Sequence, residues 1–172
     1  AFYDGELTLT DIELSEEISD IVNRDLELPQ IFVVNGYSKL CLMEKPAYTL
    51  EIGVSQKSCK NGEPSGDTFE HFNDGQGNEY IIISDGMGSG KMAAIDSLMT
   101  SSLLVRLLKA GIGFSAAVKL INSSMLVKSN NESFATLDIA CINLYTGRLD
   151  LLKLGAAATF IRANGSVNCI EA

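Results

Sequence analysis

Two aspartates stand where glycine kinks the chain. Asp85 sits in Ser84-Asp85-Gly86-Met87-Gly88-Ser89-Gly90-Lys91-Met92, directly after the apolar run Tyr80-Ile81-Ile82-Ile83, and Asp67 lies upstream in Pro64-Ser65-Gly66-Asp67. A carboxylate followed by a glycine whose carbonyl can turn toward the same point offers the hard oxygen ligands that Mg²⁺ and Mn²⁺ prefer. Two such carboxylates can hold a metal pair roughly 3.5 to 4 Å apart, make a shared water more acidic and clamp a phosphate oxygen. The same residues have plainer readings, Asp85 as a helix N-cap and Asp67 as a turn residue, and spacing alone does not separate them.

Other chemistries fit less well. The phosphate-binding pattern G-x-x-x-x-G-K-[ST] would need glycine at position 85 and Ser or Thr at position 92. Asp85 and Met92 stand there, so a phosphate would meet a carboxylate and a magnesium ion would lack its hydroxyl. His71 is the one histidine in the chain, and its polar surroundings predict a surface loop. A Ser-His-Asp or Cys-His machine would depend on that residue. Cys41, Cys59, Cys141 and Cys169 show no CxxC spacing, which argues against zinc and for reduced, mostly buried thiols in the cytosol.

The elements that must position the aspartates are legible from period and punctuation. The run at 80–83 predicts a strand buried on both faces and ending at Asp85. The glycines then lead into an apolar-periodic helix over 89–109, with Arg106 and Lys109 suiting its C-terminal dipole and Gly111 as its stop. A second helix over 115–128 should pair with it as a hairpin. Upstream, Ile12, Leu14, Ile18, Ile21 and Val22 predict an amphipathic helix over 10–24, capped by Thr10 or Asp11. Strand-like runs at 31–34, 39–43 and 47–54, parted by Asn35-Gly36 and Lys45-Pro46, suggest an antiparallel meander. Residues 55–78 read as a loop region with room for one short strand. Beyond the helices come four strand-like runs at 136–145, 148–155, 158–162 and 167–170, joined by turns such as Thr146-Gly147 and Asn164-Gly165. Strands, two helices and strands again indicate an α+β layered domain.

Composition narrows the class of partner. The 172 residues are 46% hydrophobic, enough for one compact domain. Thirteen basic against 22 acidic residues leave a net charge of −9, which disfavours nucleic acid and anionic lipid and favours cations. No apolar run approaches the roughly 20 residues of a membrane-spanning helix. The start at Ala1 and the finish at Ala172 suggest a piece of something longer, such as the cytosolic part of a membrane protein.

Taken together, Ser65-Gly66-Asp67, the stretch Ser84-Asp85-Gly86-Met87-Gly88-Ser89-Gly90-Lys91-Met92-Ala93, Thr136-Leu137-Asp138 and Lys153-Leu154-Gly155-Ala156-Ala157-Ala158-Thr159-Phe160-Ile161 resemble the metal-dependent PP2C-type protein phosphatases, in particular their stage II sporulation branch. The resemblance implies a PP2C-like antiparallel β-sandwich flanked by helices over residues 48–172, with 1–47 as a linker or regulatory segment. It implies Asp85 as the bridging ligand of a binuclear Mn²⁺/Mg²⁺ centre, the Gly86 carbonyl as a further metal ligand, and Asp67 as the acidic ligand of one metal. It implies that the helices over 89–128 couple metal binding to regulation. The implied activity is hydrolysis of phosphoserine or phosphothreonine on a regulatory protein such as an anti-sigma-factor antagonist, in a sporulating bacterium. The family pattern continues with further metal aspartates that have no match here, since Asp138 and Asp150 lie in other contexts and Asp138 reads as a structural hydrogen bonder. The domain is therefore expected to be C-terminally incomplete and inactive alone, with uncovered sheet edges that favour a homodimer. The competing reading is a non-catalytic regulatory or dimerising module on the same scaffold.

Overall fold

The computed structural model describes residues 2–3, 8–58, 62–128 and 135–171. The chain divides into two compact units, Ala1–Thr49 and Leu50–Ala172.

In the first unit, helix α1 follows strand β1 (Phe2–Tyr3) and spans Asp11–Val22. Its start is fixed by a reciprocal cap. The Thr10 hydroxyl accepts the Glu13 N–H at 3.3 Å and the Glu13 carboxylate accepts the Thr10 N–H at 2.9 Å, which satisfies two N–H groups the first turn would leave open. The backbone bond from Thr10 holds the Glu13 carboxyl below its ordinary pKa. Strands β2 (Gln30–Val34) and β3 (Tyr37–Cys41) form a hairpin whose turn residues, Asn35 and Gly36, both take positive φ, at 52° and 82°.

The sheet order is β1-β3-β2. The meander expected to continue through 47–54 is not formed. Strand β1 occupies the edge of β3 that such a strand would need, and 47–54 runs without a strand partner.

The second unit holds a four-stranded antiparallel sheet in the order β4-β5-β6-β7, built from Asp67–Asn73, Asn78–Asp85, Leu137–Asn143 and Leu149–Leu154. Helices α2 (Lys91–Lys109) and α3 (Phe114–Lys128) follow β5 in the chain, and α2 packs on β4, β5 and α3. A separate hairpin, β8 (Thr159–Ala163) and β9 (Ser166–Ile170), turns at Asn164-Gly165. The core lies between helices and sheet: Phe72, Ile82, Leu104, Ala117, Ile121, Leu137 and Ile139. Full burial of an Ile or Leu such as Ile82, Leu104 or Ile139 stabilises by about 1.5–3 kcal/mol. Phe72 stacks on Tyr80 at 4.7 Å between centroids, Phe114 tilts against Tyr80 at 5.8 Å, and the Lys109 ammonium stands over the Phe72 ring at 5.2 Å.

Three expectations need correction. The strand over 80–83 is buried on one face only: Ile82 is 0% exposed beneath the helices, while its neighbour Ile83, on the other face, is 47% exposed. The region 55–78, read as a loop with room for one short strand, holds the seven-residue strand β4, and His71, expected in a surface loop, lies within that strand and is bonded to Glu79 at 2.7 Å. Phe69 and Phe72 there were enough to seat a strand against β5. Of the thiols, Cys169 is exposed and Cys41 and Cys141 are half-buried, so the fold leaves them more open than expected; Cys59 lies outside the described residues.

Candidate metal centre

The register of the β4–β5 hairpin brings the two aspartates together. At the turn, the Asp74 carboxylate accepts the Gln76 N–H at 2.8 Å and the Asn78 side-chain amide at 2.7 Å, which pins Asn73 opposite Glu79. Counting back along both strands places Asp67 directly opposite Asp85. Directly opposed residues of an antiparallel pair point to the same face, with Cβ atoms about 5 Å apart. Both carboxylates therefore leave the sheet on the side away from Ile82, the face that carries Ile83.

Glycine lets the two turns close on each other. The Gly86 N–H donates to the Gly66 carbonyl at 3.1 Å. A Cβ on Gly66 would lie 3.3 Å from the Gly86 carbonyl oxygen and 3.7 Å from Asp85 Oδ1, so both of these oxygens converge beside Gly66. A Cβ on Gly86 would fall 2.0 Å from the Ala93 carbonyl oxygen, so no other residue fits between the turn and the first turn of α2. Asp67 is held by Ser65, whose hydroxyl donates to Asp67 Oδ2 at 3.0 Å and accepts the Asp67 N–H at 3.3 Å. The Gln56 side-chain amide donates to the Asp67 carbonyl at 2.7 Å.

The electrostatics follow from the geometry. Partial burial, then the charge of Asp67, then a hydrogen bond between the two carboxyls push the Asp85 pKa above its ordinary value. A carboxyl raised by a neighbouring carboxylate is relieved by a cation between the two. The donor set of Asp67, Asp85 and the Gly86 carbonyl is all oxygen, which suits Mg²⁺ or Mn²⁺ in chemistry. Among the described residues no group of three or more His, Cys, Asp or Glu side chains forms a fuller cage.

The plainer readings of the aspartates do not hold. Asp85 ends β5 and the N-cap of α2 is Gly90, so Asp85 caps no helix. Asp67 is the first residue of a strand instead of a turn residue. A phosphate at the start of α2 would meet Glu63, whose Oε2 lies 3.1 Å from where a Gly90 Cβ would stand.

Asp138 and Asp150 stay apart from this cluster. Asp138 bonds Lys153 Nζ at 2.5 Å and the Thr159 hydroxyl at 2.7 Å, which ties β6 and β7 to the start of β8, and Asp150 pairs with Arg148 at 2.8 Å.

The sequence marks Thr136 only within a motif and assigns it no role. Its N–H donates to the Asp85 carbonyl at 2.8 Å, its hydroxyl accepts the Asp85 N–H at 3.1 Å, and its carbonyl accepts the Ser84 hydroxyl at 2.9 Å. Its signals in the sequence are the Thr136-Leu137-Asp138 motif and a hydroxyl residue just ahead of an apolar strand.

Among solved structures, the chain is similar to the PP2C phosphatase domain with a fragment of the regulatory domain of the cell fate determinant SpoIIE from Bacillus subtilis. The TM-score is 0.73 at 28% identity, over 96% of this chain and 50% of that one. The RsbU and RsbW domains of a Mycobacterium tuberculosis protein share the fold at 16% identity, with a TM-score of 0.56 over 66% of this chain and 32% of that one. Stage II sporulation protein E of Priestia megaterium is 35% identical over 137 residues, and that of Bacillus subtilis (strain 168) 32% over 138. Each comparison covers 80% of this chain, which spans less than a quarter of the length of either relative. The family model described as Stage II sporulation protein E (SpoIIE) matches residues 75–172, more than half of the chain. With its antiparallel sheets and packed helices matching a PP2C domain, the chain belongs to the stage II sporulation protein E family.

Proposed function

We propose that this chain is a PP2C-type protein serine/threonine phosphatase domain that uses Asp67, Asp85 and the Gly86 carbonyl to hold Mn²⁺ or Mg²⁺, two ions in the complete domain. The observation that carries the reading is the placement of two carboxylates directly opposite one another, beside a backbone carbonyl, at glycine turns that close on each other. When bound, the ions would supply positive charge for a phosphate group and a more acidic water as nucleophile. The chain's own part is to fix the oxygens: Ser65 orients Asp67, Thr136 anchors Asp85, and Ala93 packs under Gly86. The proposed substrate is phosphoserine or phosphothreonine on a regulatory protein, with an anti-sigma-factor antagonist as the specific candidate, met in the cytosol. Residues 1–47 would serve as a linker or regulatory segment.

Two carboxylates and one carbonyl leave most of an ion's coordination to water. The 172-residue chain is therefore expected to bind metal weakly and to be inactive alone. The absence of a third acidic ligand among the described residues favours the second reading, a non-catalytic regulatory or dimerising module. Hydrolysis of p-nitrophenyl phosphate under Mn²⁺ titration separates the two, measured on this chain and on one extended past Ala172 by its natural sequence. Activity gained by extension and abolished by Asp85→Ala supports the phosphatase. No activity in either chain, with folding intact, supports the module.

A further inference from the structure

We propose that Thr136 is a positioning residue for the oxygen cluster, acting on the cation through Asp85 without touching it; this rests on the reading of Asp85 and Gly86 as ligands. Strand β6 begins at Leu137, and the ladder with β5 runs on past the strand to a bridge between Gly86 and Ala135. Between the last strand pair, Ile83 with Asp138, and that bridge, Asp85 faces Thr136. Hydrogen-bonded partners in an antiparallel ladder exchange two backbone bonds. Here only one is of that kind, from the Thr136 N–H to the Asp85 carbonyl at 2.8 Å. The Asp85 N–H goes instead to the Thr136 hydroxyl at 3.1 Å, and the Thr136 carbonyl takes the hydroxyl of the fully buried Ser84 at 2.9 Å.

A side chain thus stands in for a carbonyl at the one rung where the ligand sits. Both backbone groups of Asp85 are held by one residue, which fixes the direction in which its carboxylate leaves the strand. The next peptide is fixed in turn, because the Gly86 N–H is bound to Gly66. An ordinary rung would do as well for strand pairing; what the hydroxyl adds is a side-chain hold on the Asp85 N–H. Partners that orient a ligand are commonly worth about 10- to 100-fold in metal affinity.

The test is Mn²⁺ affinity, measured by calorimetry, together with thermal unfolding in the absence of metal. Thr136→Val removes the hydroxyl and keeps the shape; Thr136→Ser keeps the hydroxyl. The valine variant should bind Mn²⁺ about 10- to 100-fold more weakly and the serine variant close to the unsubstituted chain. A valine variant that folds and binds Mn²⁺ unchanged would overturn the inference alone, even if its melting temperature fell. Because this chain is expected to bind weakly, the titration runs to millimolar Mn²⁺, and absence of binding even there would remove the ligand assignment and this inference with it. Should the valine variant not fold, diamagnetic Mg²⁺ added to the ¹⁵N-labelled unsubstituted chain should shift the amides of Asp85, Gly86 and Thr136 together. A Thr136 amide that does not shift while the other two do would count against the role.

Discussion

At the scale of single residues, Asp85 is held in a conflict that the fold maintains. Its carboxyl faces Asp67 across one rung of the sheet, and its pKa is raised by partial burial and by that neighbouring charge. An acid with a raised folded pKa binds its proton more tightly in the native state. The stabilisation this gives is complete below the ordinary value of 3.8 and is lost as pH rises through the raised value. At neutral pH the metal-free protein therefore carries a repulsion that Asp85→Asn should relieve. With solvent screening of this exposed pair the gain should be about 1 kcal/mol, or roughly 2–4 °C in melting temperature for a chain of this length. The same variant should lose the stabilisation that Mn²⁺ gives the unsubstituted protein. Differential scanning calorimetry with and without Mn²⁺ reads both effects, and a variant that is less stable without metal and still stabilised by Mn²⁺ would contradict the ligand reading.

At the scale of elements, what could be read in advance was what local sequence controls. Helices α1, α2 and α3 fell within two residues of their expected bounds because apolar period, capping hydroxyl and glycine stop all act locally. The hairpin turns at Asn35-Gly36 and Asn164-Gly165 were legible for the same reason, since asparagine and glycine tolerate positive φ. The place and length of strand β4 and the idle segment 47–54 were not, because each outcome depends on which edge is free, a property of distant chain. The aspartates of the candidate site were visible as residue types beside glycines, whereas their facing one another depends on the register set at Asp74. The role of Thr136 was not legible, because it rests on contacts with residues 51 and 52 positions away. Lys153 likewise stands out in the sequence only as part of a motif. Its side chain is 5% exposed and pairs with Asp138, so it joins β6, β7 and β8 in one polar knot. Lys153→Met should destabilise by about 3 kcal/mol by leaving a carboxylate half-buried and unpaired, and Asp138→Leu added to it should recover most of the loss. Urea unfolding of the single and double variants checks this; a double variant no more stable than the single would show that packing, and not charge, dominates.

At the scale of the molecule, β2 offers a homodimer contact apart from the edges expected at the C-terminal end of the domain. This strand lies at the end of its sheet, and Ile31, Phe32, Val33 and Val34 are each more than 40% exposed. An antiparallel partner of the same sequence would set Ile31 against Val34 and Phe32 against Val33 with no charge in the zipper, and unpaired edges of this kind recruit strands. Sedimentation should find a dimer that Val33→Lys converts to monomer, and a monomer for the unsubstituted chain at high micromolar concentration would refute the pairing. The aromatic stack under the helices has a different consequence. The chain has no tryptophan, and Tyr80 is locked between Phe72 and Phe114. Burial, with Cys141 beside it, pushes the Tyr80 hydroxyl up to about 12. The protein thus contains an optical gauge of its own interior: near-ultraviolet ellipticity from this phenol reports without any label whether the core is assembled, and in strong alkali its phenolate absorbance should emerge only as that assembly gives way.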